Sequence, residues 1–435
     1  MLNIFLSVDF FWREGKEVIM QQEIITSLDI GSKKLSAAMA VKGKDDEIEI
    51  LGVEFCKSAG VEKGLLTDIE KCRVTVNDLL KTLEEKTRRN IKDISIGISS
   101  RKVRITETTV EISLEDEKVT GKDLRRALEK GEKNIAINDY EIVIDSLINF
   151  YVLDGKVMHK EILNWKGKKL ELNLTFIIAE AKEIQKYYEL FKGTNYNVKY
   201  IKLNVISGKQ VFLNDKNAMG EIALVDIGAG VVDIALFSGD IIKNISNIPI
   251  GGNNISNDLA ICGGFSFLEA DNIKKIYAGN CRSLFTDNSI PDKIRVGTID
   301  ISRKLFYEVT NARIEEILNH VNIELKKTGH YDRICSIILY GDGVSYFEDI
   351  NETVDNIFER KTKVITKTDL GIKNSENITS LAIVKEVYDR LNLLGDNSKV
   401  PIDESKKISE TENLHNNEGG NHVLKKIKCF FEKIF

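Results

Sequence analysis

At 435 residues, 42% hydrophobic and a formal net charge of −5, the chain can bury ample core and is long enough for two or more domains. So small a charge gives no global basic field of the kind that tracks nucleic acid, which is excluded as a partner. Cys56, Cys72, Cys262, Cys281, Cys335 and Cys429 are scattered without a CxxC or Cys/His cluster, and the histidines show no metal spacing. That pattern fits a reducing cytoplasm and argues against a zinc site or a disulfide framework.

In chain order, Leu2 to Trp12 is apolar but is interrupted by Asp9 and is far shorter than the roughly 20 residues of a membrane span. It lacks the basic region and cleavage site of a signal peptide, and Met20 is a second candidate start. Ile24 to Leu28 reads as a strand that ends in Asp29-Ile30-Gly31-Ser32, and Leu35 to Val41 resumes the strand pattern. Apolar residues at helical spacing (Val76, Leu79, Leu80, Leu83) predict a helix over Ile69 to Arg89, and Ile94 to Ile98 predicts a buried strand. From about 101 to 182 the rhythm changes. The strand-like runs Val103 to Ile112, Glu141 to Val152 and Leu170 to Ile178 surround a helix entered at Thr120 with Asp123 three residues on, as in a capping box.

The opening phrase then recurs. Ile222 to Val225 leads into Asp226-Ile227-Gly228-Ala229-Gly230, and Val231 to Phe237 continues as a strand. A repeat at this scale predicts two similar halves with a site where they face each other. Further on, Ile301 to Lys327 predicts a long amphipathic helix, and Ile334 to Tyr340 a buried strand ending in Gly341-Asp342-Gly343. Residues 395–421 are too polar to support a core and predict a linker.

A carboxylate at a strand end followed by a glycine turn suits a phosphate chain and its Mg²⁺: turn N–H groups meet phosphate oxygens, and the carboxylate holds the cation through water. Asp29 and Asp226 are the two such carboxylates. Pro249-Ile250-Gly251-Gly252-Asn253-Asn254 opens a helix whose first N–H groups could meet a phosphate. The glycine turn at Gly341 to Gly343 could lie flat against a purine.

With these parts in this order the chain resembles the actin, Hsp70 and sugar-kinase superfamily, and within it the FtsA family of bacterial cell-division proteins, over nearly everything from Glu23 to Phe435. The resemblance implies an α/β, actin-like two-lobed ATPase fold with an inserted β-rich subdomain and a C-terminal amphipathic helix. It places the first lobe at 23–100 and 183–221, around a filament-contact insertion at 101–182. The second lobe follows at 222–394, with an FtsZ-contact subdomain at about 255–330; 1–22 is an extension, 395–421 a linker and 422–435 a membrane helix. It implies ATP and Mg²⁺ as cofactors. Asp29, Gly31, Ser32 and Lys33 match the first phosphate motif, and Asp226, Gly228, Ala229 and Gly230 the second. Gly251 and Gly252 follow it, Asp271 and Lys274 stand for an Ala-Glu-x-x-Lys helix beside the adenosine, and Gly341, Asp342 and Gly343 for the adenine loop. Gln210, on a connecting helix over Leu203 to Leu213, falls at the water-positioning residue. Val231-Val232 replaces a family threonine pair, which implies at most weak ATPase activity.

The tail carries its own signal. At 100° per residue Val423, Leu424, Ile427, Phe430, Phe431, Ile434 and Phe435 share an arc of roughly 140°, with Lys425, Lys426 and Lys428 outside it. Such a helix after a polar linker is built to lie in an anionic bilayer. The expected protein is thus a self-associating adaptor that tethers FtsZ, beside other division proteins, to the cytoplasmic face of the membrane at the septum. Arg303, Lys304 and Arg313 are the candidates for an acidic FtsZ peptide. A PilM-type pilus-assembly adaptor shares the fold without the terminal helix, and a sugar-kinase-type phosphotransferase is the rival from another class.

Overall fold

The computed structural model describes residues 23–43, 47–158, 162–213, 220–370 and 377–394. The N-terminal extension, the linker and the predicted membrane helix, with its phenylalanines and lysines, lie outside the described residues.

Two five-stranded sheets dominate, and they share one strand order. In the first, Ile48–Lys57, Lys34–Lys42 and Ile24–Ile30 run antiparallel, and Asp93–Ile98 and Asn197–Leu203 are added in parallel beside Ile24–Ile30. In the second, Ile241–Ile248, Val232–Ser238 and Glu221–Ile227 run antiparallel, followed in parallel by Ile334–Tyr340 and Thr362–Val364. The duplicated Asp-Ile-Gly phrase therefore marks equivalent places: each aspartate is the penultimate residue of the central strand of its sheet. Both central strands are buried almost throughout, as strands covered on two faces are.

Helix Ile69–Thr87 shows how the local sequence is used. Asp68 caps it by accepting a hydrogen bond from the Lys71 amide, and Cys72, Val76, Leu79, Leu80 and Leu83 bury one stripe in the core of the first lobe. It ends at Arg88, whose φ of 54° is left-handed. Between the last two strands of the first sheet stands a separate four-stranded antiparallel sheet, in the order Val103–Ser113, Lys169–Glu180, Glu141–Leu153, Lys156–Met158. Helix Gly121–Asn134 packs on it through Leu124, Ala127 and Leu128. Thr120 and Asp123 form its reciprocal capping box. In the second lobe Ser302 caps the long helix Arg303–Lys327.

One expected boundary is corrected. The helix Ile378–Leu394, read from sequence as the end of the second lobe, returns to the first: Ile383, Val384, Val387 and Tyr388 pack with Ile25, Ala38 and Ala40 of the first sheet. Ser27 Oγ donates to the Ser380 carbonyl at 2.7 Å, and Ser36 Oγ donates to Asn377 Oδ1 at 3.0 Å. The first sheet has one face covered by Ile69–Thr87, and its other apolar face needs this cover. Among the described residues no helix is long and apolar enough to cross a membrane.

The same helix joins a buried charge network. Lys202, 1% exposed, lies 2.7 Å from Asp145 of the inserted sheet and 2.9 Å from Glu386. Arg390 adds a contact of 3.2 Å to Asp145, and Ser207 Oγ donates to Glu386. Removing the central cation leaves the buried Asp145 with Arg390 alone and the half-buried Glu386 with only the Ser207 hydroxyl, so Lys202→Met should cost about 3 kcal/mol of stability. Denaturant unfolding checks this; a loss under about 1 kcal/mol would show the network to be solvated.

Candidate nucleotide cleft

Both aspartates stand at carboxyl ends of central strands, where open α/β sheets place their ligands. The two turns are closed alike: Gly31 N donates to Lys34 O at 3.1 Å, and Gly228 N to Val231 O at 2.9 Å. They face one cavity of about 100 Å³ lined by Asp29, Gly31, Ser32, Lys33, Asp226, Gly228, Ala229, Gly230, Gly341 and Asp342, among others. The other matched residues, Gly251, Gly252, Asp271, Lys274 and Gly343, do not line this cavity and pack behind the second turn. Gly252 N donates to Gly228 O at 3.0 Å and Asn253 N to Ala229 O at 2.8 Å, which seats the start of helix Gly252–Gly263, with Gly251 as its N-cap, on the second turn. Gly343 N donates to Ile227 O at 2.7 Å. Lys274 Nζ donates to Gly252 O and to Ser256 Oγ, both at 2.7 Å.

Several contacts cross from the first lobe to the second. Lys33 Nζ donates to both Asp271 oxygens at 2.6 and 2.7 Å, and Lys34 Nζ to Asp342 Oδ2 at 3.0 Å. Ser99 Oγ and Ser100 N each donate to Asp233 Oδ1 at 3.0 Å.

Burial dominates the electrostatics of the two strand-end carboxylates. Burial pushes the Asp29 carboxyl up to about 6, against the pull of Lys34 and the 2.7 Å hydrogen bond from Asn204 Nδ2. Burial, with Asp233, Asp29 and Asp342 nearby, raises Asp226 well above the usual carboxylate range. By contrast, Lys34 and Lys367 hold Asp342 down to about 2 against the cost of burial, and Lys274 and Lys33 likewise depress Asp271. Among the described residues the Asp226 side chain accepts no hydrogen bond. A half-buried carboxylate without a hydrogen bond, beside the buried Asp29 and with two glycine turns around them, fits a divalent cation carried in by a phosphate chain.

Three expectations are corrected. Gln210 does not line the cavity; the predicted connecting helix is two short turns, Asn204–Ser207 and Lys209–Phe212, and the side chain that reaches the site is Asn204. Arg303 is no free cation: its Nη1 donates to the carbonyls of Leu284, Phe285 and Asp287 at 2.8, 3.2 and 2.8 Å and ties down a loop of its own subdomain. Arg313 is likewise engaged by Asp258 and Glu316, whereas the Lys304 side chain is 69% exposed. The valine pair also divides, because Val231 belongs to the turn and Val232 opens the strand Val232–Ser238. Val231 lines the cavity, while Val232 is fully buried in the second-lobe core. Val231→Thr alone should therefore raise ATP turnover, whereas Val232→Thr should cost about 1–3 kcal/mol by burying a hydroxyl. ADP-release assays and thermal melts separate the two, and equal effects would contradict the assignment. Sequence reading also missed Asn204, Ser99 and Asp233, whose roles rest on contacts between distant segments. Asp233 alone had a local cue, its place seven residues beyond Asp226 on the hairpin partner strand, where the two are cross-strand neighbours.

Two equivalent sheets, an inserted sheet and a cleft between paired aspartate turns define a two-lobed protein of the actin-like class. Within that class the chain is similar in sequence to FtsA proteins. The family model "Cell division protein FtsA" matches residues 223–382. The FtsA of Neisseria meningitidis is 25% identical over 430 residues, 95% of this chain and 99% of the relative. That of Bacillus subtilis is 24% identical over 372 residues, 83% of each chain. Among solved structures, a chain of the PilM–PilN type IV pilus biogenesis complex superposes with a TM-score of 0.56 at 12% identity, covering 86% of this chain and 99% of that one. At that identity the likeness concerns the fold alone.

Proposed function

We propose that this chain is an ATP- and Mg²⁺-binding cell-division adaptor of the FtsA type. It self-associates and, through residues 422–435, holds FtsZ at the cytoplasmic face of the membrane at the septum. The observation that carries the nucleotide part is the pair of carboxylates, Asp29 and Asp226, in equivalent strand-turn-strand units facing one cavity. Asp29 and Asp226 would hold the metal, which neutralises phosphate charge, and the turn amides at Gly31 and Gly228 to Gly230 would meet phosphate oxygens. Helix Phe267–Tyr277, with Asp271 and Lys274, would flank the nucleoside.

The adaptor part rests on kinship with proteins named for cell division and on the segregated apolar face of the tail. FtsZ would meet the subdomain at about 255–330, where Lys304 remains exposed. Calorimetric titration of ATP with and without Mg²⁺ tests the nucleotide part: binding that requires Mg²⁺ is expected, and no heat in either condition would refute it. ADP release that depends on an added sugar would instead establish a phosphotransferase.

A further inference from the structure

Resting on the nucleotide reading above, we propose that Asp342 is a built-in competitor for nucleotide phosphate: its carboxylate occupies the cations that a polyphosphate entering the cleft would use. The tripeptide Gly341-Asp342-Gly343 leaves only its middle position free for a side chain. Gly341 has a φ of +99°, and a Cβ there would lie 2.3 Å from Asp226 Oδ1. A Cβ on Gly343 would lie 2.5 Å from Gly228 O. The turn is thus pressed against the second phosphate motif, and Asp342 is the one side chain it can present.

That side chain lines the same cavity as Asp29 and Asp226. Its oxygens are divided between two lysines from different lobes: Lys34 on Oδ2 at 3.0 Å and Lys367 on Oδ1 at 2.8 Å. Lys367 is anchored through its backbone N–H, which donates to Ser345 O at 2.9 Å. With Lys33 committed to Asp271, both consecutive lysines of the first turn are neutralised by carboxylates of the second lobe. A phosphate that reaches this turn meets lysines already paired and an additional fixed negative charge. Binding must separate an ion pair before it gains one, so Asp342 sets the affinity for the phosphate chain downward and leaves the nucleoside end untouched.

The charge, rather than the bulk, is the active feature, and two variants separate them. In the full chain, Asp342→Asn keeps the size and removes the charge, while Asp342→Gly removes both. Calorimetry with Mg-ATP and with inorganic triphosphate should show each variant binding both ligands about tenfold or more tighter than the wild type, since hydrogen bonds to charged groups are the strong ones. Adding Lys367→Met to Asp342→Asn should cancel much of the gain. Thermal melts confirm that the variants are folded. A gain only for Asp342→Gly, and only with ATP, would assign the residue to steric exclusion at the base and overturn the proposal. So would a wild type that binds ATP no more weakly than either variant. Failure of all three proteins to bind either ligand would remove the nucleotide reading itself, and the competitor role with it.

Discussion

Replacing Phe430 and Phe431 together by aspartate should abolish liposome binding while leaving ATP binding intact. Burying a Phe-sized side chain is worth roughly 1.5–3 kcal/mol, and each lysine near an anionic surface adds about 1 kcal/mol. Losing both rings and adding two negative charges among Lys425, Lys426 and Lys428 should lower affinity on the order of 100-fold or more. A single tail should bind only modestly, because ordering some 13 residues into a helix would cost about 1–2 kcal/mol each before hydrogen bonds and burial offset it. Neighbouring subunits in a filament would present many tails at high effective concentration. Sedimentation with anionic vesicles should therefore rise sigmoidally with protein concentration, and a variant that cannot self-associate should bind weakly with its tail intact. Binding that survives the loss of both phenylalanines would eliminate the membrane-anchor reading.

Asp226→Ala should remove Mg²⁺-dependent ATP binding, and Asp29→Ala should weaken it severely. The two carboxylates are equivalent by topology but not by surroundings. Asp29 receives the hydrogen bond from Asn204 and sits nearer to the lysine turn, whereas the Asp226 side chain accepts no hydrogen bond among the described residues and carries the greater burden of neighbouring negative charge. A cation should gain most from Asp226, and its loss leaves the phosphate chain facing Asp29 and Asp342 with the positive end of the site gone. Calorimetry at fixed Mg²⁺ checks the order of the two effects. Unchanged affinity in both variants would refute the site.

The repeat was legible because a short phrase, Asp-Ile-Gly, stands at the same point of two strand-turn-strand runs, and that local pattern is what closes each turn. The inserted sheet was legible from its long alternating strands and the Thr120–Asp123 cap. The return of Ile378–Leu394 to the first lobe was not. An apolar stripe states that a helix is buried but not which sheet it covers, and its partners Ser27 and Ser36 lie far away in the chain. Arg303 and Arg313 failed as partner candidates for the same reason, since the carbonyls and carboxylates that occupy them belong to other elements. The pairing of Asp342 was not legible either, because Lys34 and Lys367 reach its two oxygens from distant segments in opposite lobes.

The adaptor reading is tested most directly by co-sedimentation of purified FtsZ with anionic liposomes, with and without this chain and Mg-ATP. FtsZ should pellet with the vesicles only when the full chain is present, and not with the Phe430→Asp, Phe431→Asp variant. If the chain itself pellets and FtsZ stays in the supernatant, the account is contradicted.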